Sequence, residues 1–118
     1  MDPVLIADRD PAARRALTLI LKHKLAVEDV REVGDVETLI RALADCQPRL
    51  LMLDWTMYGA PAPETCRLLR KAYPTLNIVL LSADAGDEGL ARQAGASFID
   101  KGATPEKLVA TLEGLLQD

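Results

Sequence analysis

Aromatic side chains are scarce, with one Trp, two Tyr and one Phe among 118 residues. There is no platform on which bases could stack, and any core must be built from Leu, Ile, Val and Ala. Histidine occurs once, as His23, which excludes a two-histidine metal site. It sits in a Lys22-His23-Lys24 run near an expected helix end, where a solvated face or partnership with the helix dipole is its ordinary role. The two cysteines, Cys46 and Cys66, lie apart in apolar helical patterns with no CxxC spacing, as reduced intracellular thiols do. No apolar run approaches the roughly 18 residues of a membrane span, and no basic segment followed by an apolar stretch opens the chain. A cytoplasmic location without membrane contact is therefore expected. Basic residues number 14 against 18 acidic, a net charge of −4, which argues against a nucleic-acid partner for this domain, because such affinity needs clustered Lys and Arg.

What is abundant is aliphatic: hydrophobic residues make up 49% of the chain. Such a length is expected to form one domain, residues 1–118, with no linker or repeat dividing it. Short apolar runs recur at Val4-Leu5-Ile6-Ala7, Val27 to Val33, Leu50-Leu51-Met52-Leu53, Asn77 to Leu81 and Ser97-Phe98-Ile99. Four are too short for helices and end at a polar residue, as buried parallel strands do. The second is interleaved with charge and reads as an edge strand. Helical spacing fills the intervals: Ala13, Leu17, Ile20 and Leu21; Val36, Leu39, Ile40 and Leu43 behind a capping Asp35; Cys66 and Leu69 after Pro61 and Pro63 and before Pro74. Leu108, Leu112, Leu115 and Leu116 follow a Thr104 cap and Pro105. A short segment from Asp87 to Ala94, containing Gly89, is expected to be the least stable helix. Five strand–helix units in succession predict an α/β fold with a doubly wound, five-stranded parallel sheet.

Ligands in such sheets bind beyond the carboxyl ends of the strands. The residues that end the apolar runs are Asp8, Asp54, Ser82 and Lys101, two carboxylates, a hydroxyl and an ammonium brought to one edge. A carboxylate can attack phosphorus, one or two carboxylates can hold Mg²⁺, and an ammonium and a hydroxyl can receive the phosphoryl oxygens.

Several segments carry a family resemblance: Val4-Leu5-Ile6-Ala7-Asp8 with Pro11 and Arg14, Leu53-Asp54-Trp55, Leu80-Leu81-Ser82-Ala83, Ala94-Gly95-Ala96 and Phe98-Ile99-Asp100-Lys101. Together they resemble the receiver domains of two-component response regulators, over essentially the whole length, and the opening run resembles receivers joined to helix-turn-helix output domains. The resemblance implies a flavodoxin- or CheY-like three-layer sandwich with strand order 2-1-3-4-5. It implies that Asp54 accepts a phosphoryl group from a partner histidine kinase or phosphotransfer protein, in a switch that is not a turnover enzyme. Asp8, Asp54 and the Thr56 main-chain carbonyl would hold Mg²⁺, and Lys101 would pair with the phosphate. Ser82 would turn toward the phosphoryl group while Phe98 moves inward, reporting to the face of the fourth helix, fifth strand and fifth helix, a surface that would also serve a homodimer. Five strand–helix units occupy nearly all of the chain, so output is expected from a separate protein or from a further domain of a longer chain.

The pattern breaks at Arg9, which stands where the family has a second acid after the first strand. Exchanging an anion for a cation there weakens the metal site. Arg9 either folds into the pocket to neutralise Asp54 or points to solvent. Asp10 is expected to cap the first helix. Tyr58 replaces a common Pro, Ala62 a common Gly, and Gly102 the Pro that follows the lysine, where a cis peptide often forms. The segment from Ser82 to Lys101 is short, trimming the fourth helix. Two other functions compete: a pseudo-receiver acting as a phosphorylation-independent interaction module, and a haloacid-dehalogenase-like phosphatase in which Asp8 attacks and Asp10 is the acid/base.

Overall fold

The computed structural model describes residues 2–57 and 61–117, so Tyr58 lies outside the described residues. Strands β1 (Val4–Ala7), β2 (Val30–Val33), β3 (Leu50–Asp54), β4 (Ile78–Ser82) and β5 (Ser97–Asp100) alternate with helices α1 (Pro11–Lys24), α2 (Val36–Asp45), α3 (Ala62–Ala72), α4 (Glu88–Gln93) and α5 (Pro105–Leu116). All strand pairings are parallel and the sheet order is β2-β1-β3-β4-β5, as expected.

The three central strands β1, β3 and β4 are buried throughout because alternate side chains feed two separate cores. Leu5, Ala7, Leu51, Leu53, Ile78 and Leu80 face Leu39 and Leu43 of α2, Cys66 of α3 and Ala91 of α4. Val4, Ile6, Leu50, Met52, Val79, Leu81 and Ile99 face Leu17 and Leu21 of α1 and Leu112 of α5. Burial raises the Cys66 thiol pKa, keeping it protonated in a structural role.

The helix starts follow local chemistry. Asp10 accepts from the Ala12 amide at 3.0 Å and Asp35 from the Thr38 amide at 2.7 Å, while Thr104 accepts from the Lys107 amide at 3.3 Å. Each such cap is worth about 1 kcal/mol. Lys22, His23 and Lys24 close α1 at the negative end of its dipole.

Two boundaries and the facing of one residue differ from the sequence reading. The edge strand starts at Val30 rather than Val27, because Ala26 takes φ 55 and the Val27 amide donates to the Leu21 carbonyl. Val27 is buried under the sheet in the α1/α5 core. Ile40, grouped with the apolar residues of α2, is 55% exposed. The segment after β4 opens with a 3-10 turn over Ala85–Asp87, which leaves only six residues for α4. Gly95 closes α4 at φ +82, a conformation that favours glycine.

Candidate functional site

Strand register decides which of the edge residues meet. Ala7 lies level with Leu53, so Asp8, one residue on, reaches the level of Asp54 on the neighbouring strand. Asp8 continues the alternation of Val4 and Ile6, Asp54 that of Leu50 and Met52, and Lys101 that of Ile99, all of which point toward α1 and α5. Ser82 continues the alternation of Ile78 and Leu80, toward α2, α3 and α4. The four residues share an edge, and the period of two divides them three to one between the faces.

The three on the α1/α5 side form one charged cluster. Asp8 and Asp54 are almost completely buried, at 4% and 6% exposure. The Lys101 ammonium bridges them, donating to Asp8 Oδ2 at 2.8 Å and pairing with Asp54 Oδ1. Asp8 Oδ1 accepts from the Asp10 amide at 3.0 Å. Asp54 Oδ2 accepts from the Thr56 hydroxyl at 2.6 Å and the Thr56 amide at 3.1 Å. Every carboxylate oxygen is therefore partnered, and among the described residues no buried side-chain polar atom lacks a partner.

Burial alone would raise the Asp54 pKa, but the Lys101 ammonium and the two Thr56 donors outweigh it and hold the carboxyl below its ordinary value of 3.8. Burial likewise favours neutral Lys101, and the two carboxylates outweigh it and hold the ammonium above its ordinary 10.5. Asp54 is thus held as a carboxylate at neutral pH.

Ser82, at the same edge, does not join this cluster. Its hydroxyl donates to Asp87 Oδ2 at 2.7 Å and accepts from the Asp84 amide at 3.0 Å. Phe98, level with Leu80 on β5, is half-buried on the same face as Ser82. The Lys101 amide donates to the Ser82 carbonyl at 2.8 Å, tying the two loops together.

Arg9 is exposed and pairs with no carboxylate among the described residues. Of its two possible placements the structure takes the solvent-facing one, and Lys101 is the cation between the carboxylates. Asp10 spends its carboxylate on the α1 cap, as expected. The peptide linking Lys101 to Gly102 is trans, in a chain with no cis peptide among the described residues. Three contacts escaped the sequence reading: the Thr56 hydroxyl on Asp54, where only its carbonyl was expected to act, Asp87 as partner of Ser82, and Arg14 on the Asp8 carbonyl. Asp87 lies five residues beyond Ser82, a spacing with no signature until the 3-10 turn folds it back.

A doubly wound sheet in this strand order, with paired acids and a lysine at its carboxyl edge, defines the CheY-like class of α/β domains. The chain belongs to the response regulator receiver domain family, which it matches over residues 4–113. It is 31% identical over 117 residues to the DNA-binding response regulator MtrA of Mycolicibacterium smegmatis, covering 97% of this chain and 50% of that protein. It is 33% identical over 115 residues to the phosphate regulon transcriptional regulatory protein PhoB of Rhizobium meliloti, covering 86% of this chain and 48% of that one. The chain thus spans about half the length of these relatives. Among solved structures, the signal receiver domain of a DNA-binding response regulator from Colwellia psychrerythraea 34H superposes with TM-score 0.86 at 17% identity, each chain fully covered. The response regulator TrrA of Thermotoga maritima, solved with Mg²⁺ and a beryllium fluoride, superposes with TM-score 0.82 at 22% identity, with 98% of this chain and 100% of that one covered.

Proposed function

We propose that the chain is a phosphoacceptor switch in which Asp54 receives a phosphoryl group from the phosphohistidine of a kinase or phosphotransfer protein. The observation that carries this reading is the Asp54 carboxylate, buried at the end of β3 yet held ionised by Lys101 and Thr56. An Asp54 carboxylate oxygen attacks phosphorus and the phosphorus–nitrogen bond to the donor histidine breaks. The imidazole leaves with the bonding electrons and takes up a proton, and an acyl phosphate remains on Asp54. Lys101, which already spans both carboxylates, is placed to exchange its Asp54 contact for a phosphoryl oxygen and so to neutralise the charge that arrives.

The donor set fits a hard divalent ion. Asp8 and Asp54 converge on a single cation, the Lys101 ammonium, and Mg²⁺ needs only one or two carboxylates when water and phosphate oxygens complete its shell. Asp8, Asp54 and the Thr56 main-chain carbonyl would hold Mg²⁺, which when bound offsets charge on the phosphoryl oxygens. Among the described residues no third acid joins the pair, and the family's second acid is replaced by exposed Arg9, so the affinity is low.

In this reading Ser82 leaves Asp87 to donate to the phosphoryl group. Phe98, on the same face, moves toward the space Ser82 vacates, altering the surface of α4, β5 and α5. That surface passes the signal to an output protein, an output domain or a second copy of the chain. The phosphatase alternative leaves Asp54 without a role and asks Asp10 to do acid/base work while it caps α1. Incubation with an acyl phosphate and Mg²⁺ followed by intact-mass measurement tests the proposal. Wild type gains one phosphoryl group and Asp54→Asn gains none. An unmodified wild type beside an active control receiver overturns it and leaves a phosphorylation-independent interaction module.

A further inference from the structure

We propose that Arg14 is a positioning residue for the acidic site, holding the main chain at Asp8 so that its carboxylate faces Asp54 and Lys101. Asp8 lies one residue beyond β1, where the ladder no longer provides a partner for its carbonyl, and a buried carbonyl left unpaired is costly. Arg14, in the second turn of α1, supplies that partner: its Nη1 donates to the Asp8 carbonyl at 2.6 Å. The Asp8 amide donates to the Val33 carbonyl at 3.1 Å. Both main-chain polar groups of Asp8 are therefore held, and its carboxylate is left to the Asp10 amide and Lys101.

The guanidinium is itself braced. Its Nε donates to Glu32 Oε1 on β2 at 3.3 Å, and the other Glu32 oxygen accepts from the Thr18 hydroxyl, one turn along α1, at 2.8 Å. Gly34 completes the brace by what it omits. A Cβ there would stand 2.8 Å from Arg14 Nη1 and 3.3 Å from its Cζ. Arg14, Thr18, Glu32 and Gly34 come from α1, β2 and the turn after β2, and they converge on one peptide group beside the site. The planar fork of arginine serves the carbonyl and the carboxylate together, which a lysine cannot do.

This inference rests on the reading of Asp8 as a metal ligand, and its test has one readout that needs neither metal nor phosphate. The Asp10 amide donates to Asp8 Oδ1, so its ¹⁵N–¹H resonance reports the carboxylate's placement directly. A Mg²⁺ titration followed through Trp55, the single tryptophan and the neighbour of Asp54, gives the second. Arg14→Gln is expected to shift the Asp10 amide and to raise the Mg²⁺ midpoint about tenfold, the low end for groups that orient metal ligands. Arg14→Lys recovers part of both. Gly34→Ala, which displaces the guanidinium while leaving Arg14 in place, moves both readouts the same way, and it decides the matter should Arg14→Gln not fold. Variants that lose thermal stability but keep the wild-type Asp10 resonance and Mg²⁺ midpoint overturn the proposal, because Arg14 would then only brace the fold. If wild type does not respond to Mg²⁺, the metal reading fails, and the Asp10 resonance alone decides whether Arg14 positions Asp8.

Discussion

Lys101 balances two buried carboxylates with one charge, so its removal exposes a repulsion that its presence conceals. Lys101→Met is expected to destabilise the fold by about 2 kcal/mol, below the roughly 3–5 kcal/mol for breaking a fully buried pair because the lysine is partly exposed. Adding Asp54→Asn should return about 1 kcal/mol of that loss, since contacting residues are not additive. Denaturant unfolding of the two single variants and the double variant measures both quantities. The same contacts give stability a pH dependence with a defined sign. The folded Asp54 pKa lies below its ordinary 3.8, so its contribution is present above 3.8 and is lost as pH falls through the lower folded value. Lys101, raised above 10.5, contributes below 10.5 and loses its contribution as pH rises through the folded value. Thermal melts across pH should show both limbs, and Asp54→Asn should flatten the acid one. At this scale the sequence was informative about identity and silent about partnership. Asp8, Asp54 and Lys101 could be singled out as residues that end apolar runs. That Ser82 stands apart from them, bonded to Asp84 and Asp87, depends on strand register and on the turn after β4, which no local signal carries.

Among the elements, the capped helices were legible because their signals are local. Asp10, Asp35 and Thr104 each bond an amide two or three residues away, and prolines stand at the starts of α1, α3 and α5. The start of β2 was not legible, since Val27 is as apolar as a strand residue, and only the turn at Ala26 shows that it packs beneath the sheet. The exposure of Ile40 follows from which face α2 turns to the sheet, a tertiary choice that periodicity within α2 leaves open. The 3-10 turn before α4 bears on the proposed switch because it brings Asp87 to the Ser82 hydroxyl. If that bond holds the switch off, Asp87→Ala should speed phosphorylation of Asp54 by about fivefold, the equivalent of roughly 1 kcal/mol for a single hydrogen bond. Time-resolved intact-mass measurement checks this, and an unchanged or slower rate would show that Ser82 is not restrained by Asp87.

For the molecule as a whole, an acidic chain places one unexpected cation, Arg9, beside its buried acids. It is exposed, so its influence on the site is through charge at a distance rather than contact. Arg9→Asp reverses that charge by two units and should tighten Mg²⁺ binding about tenfold, read as a lower midpoint in Trp55 fluorescence; an unchanged midpoint would mean that Arg9 is electrostatically screened from the site. The acyl phosphate itself offers the most direct test of the central claim. After treatment with an acyl phosphate donor and Mg²⁺, borohydride reduction converts a phosphorylated carboxyl to an alcohol, and peptide mass spectrometry locates the change. The phosphoacceptor account predicts reduction at Asp54 alone, whereas reduction at Asp8, or at no residue, would contradict it.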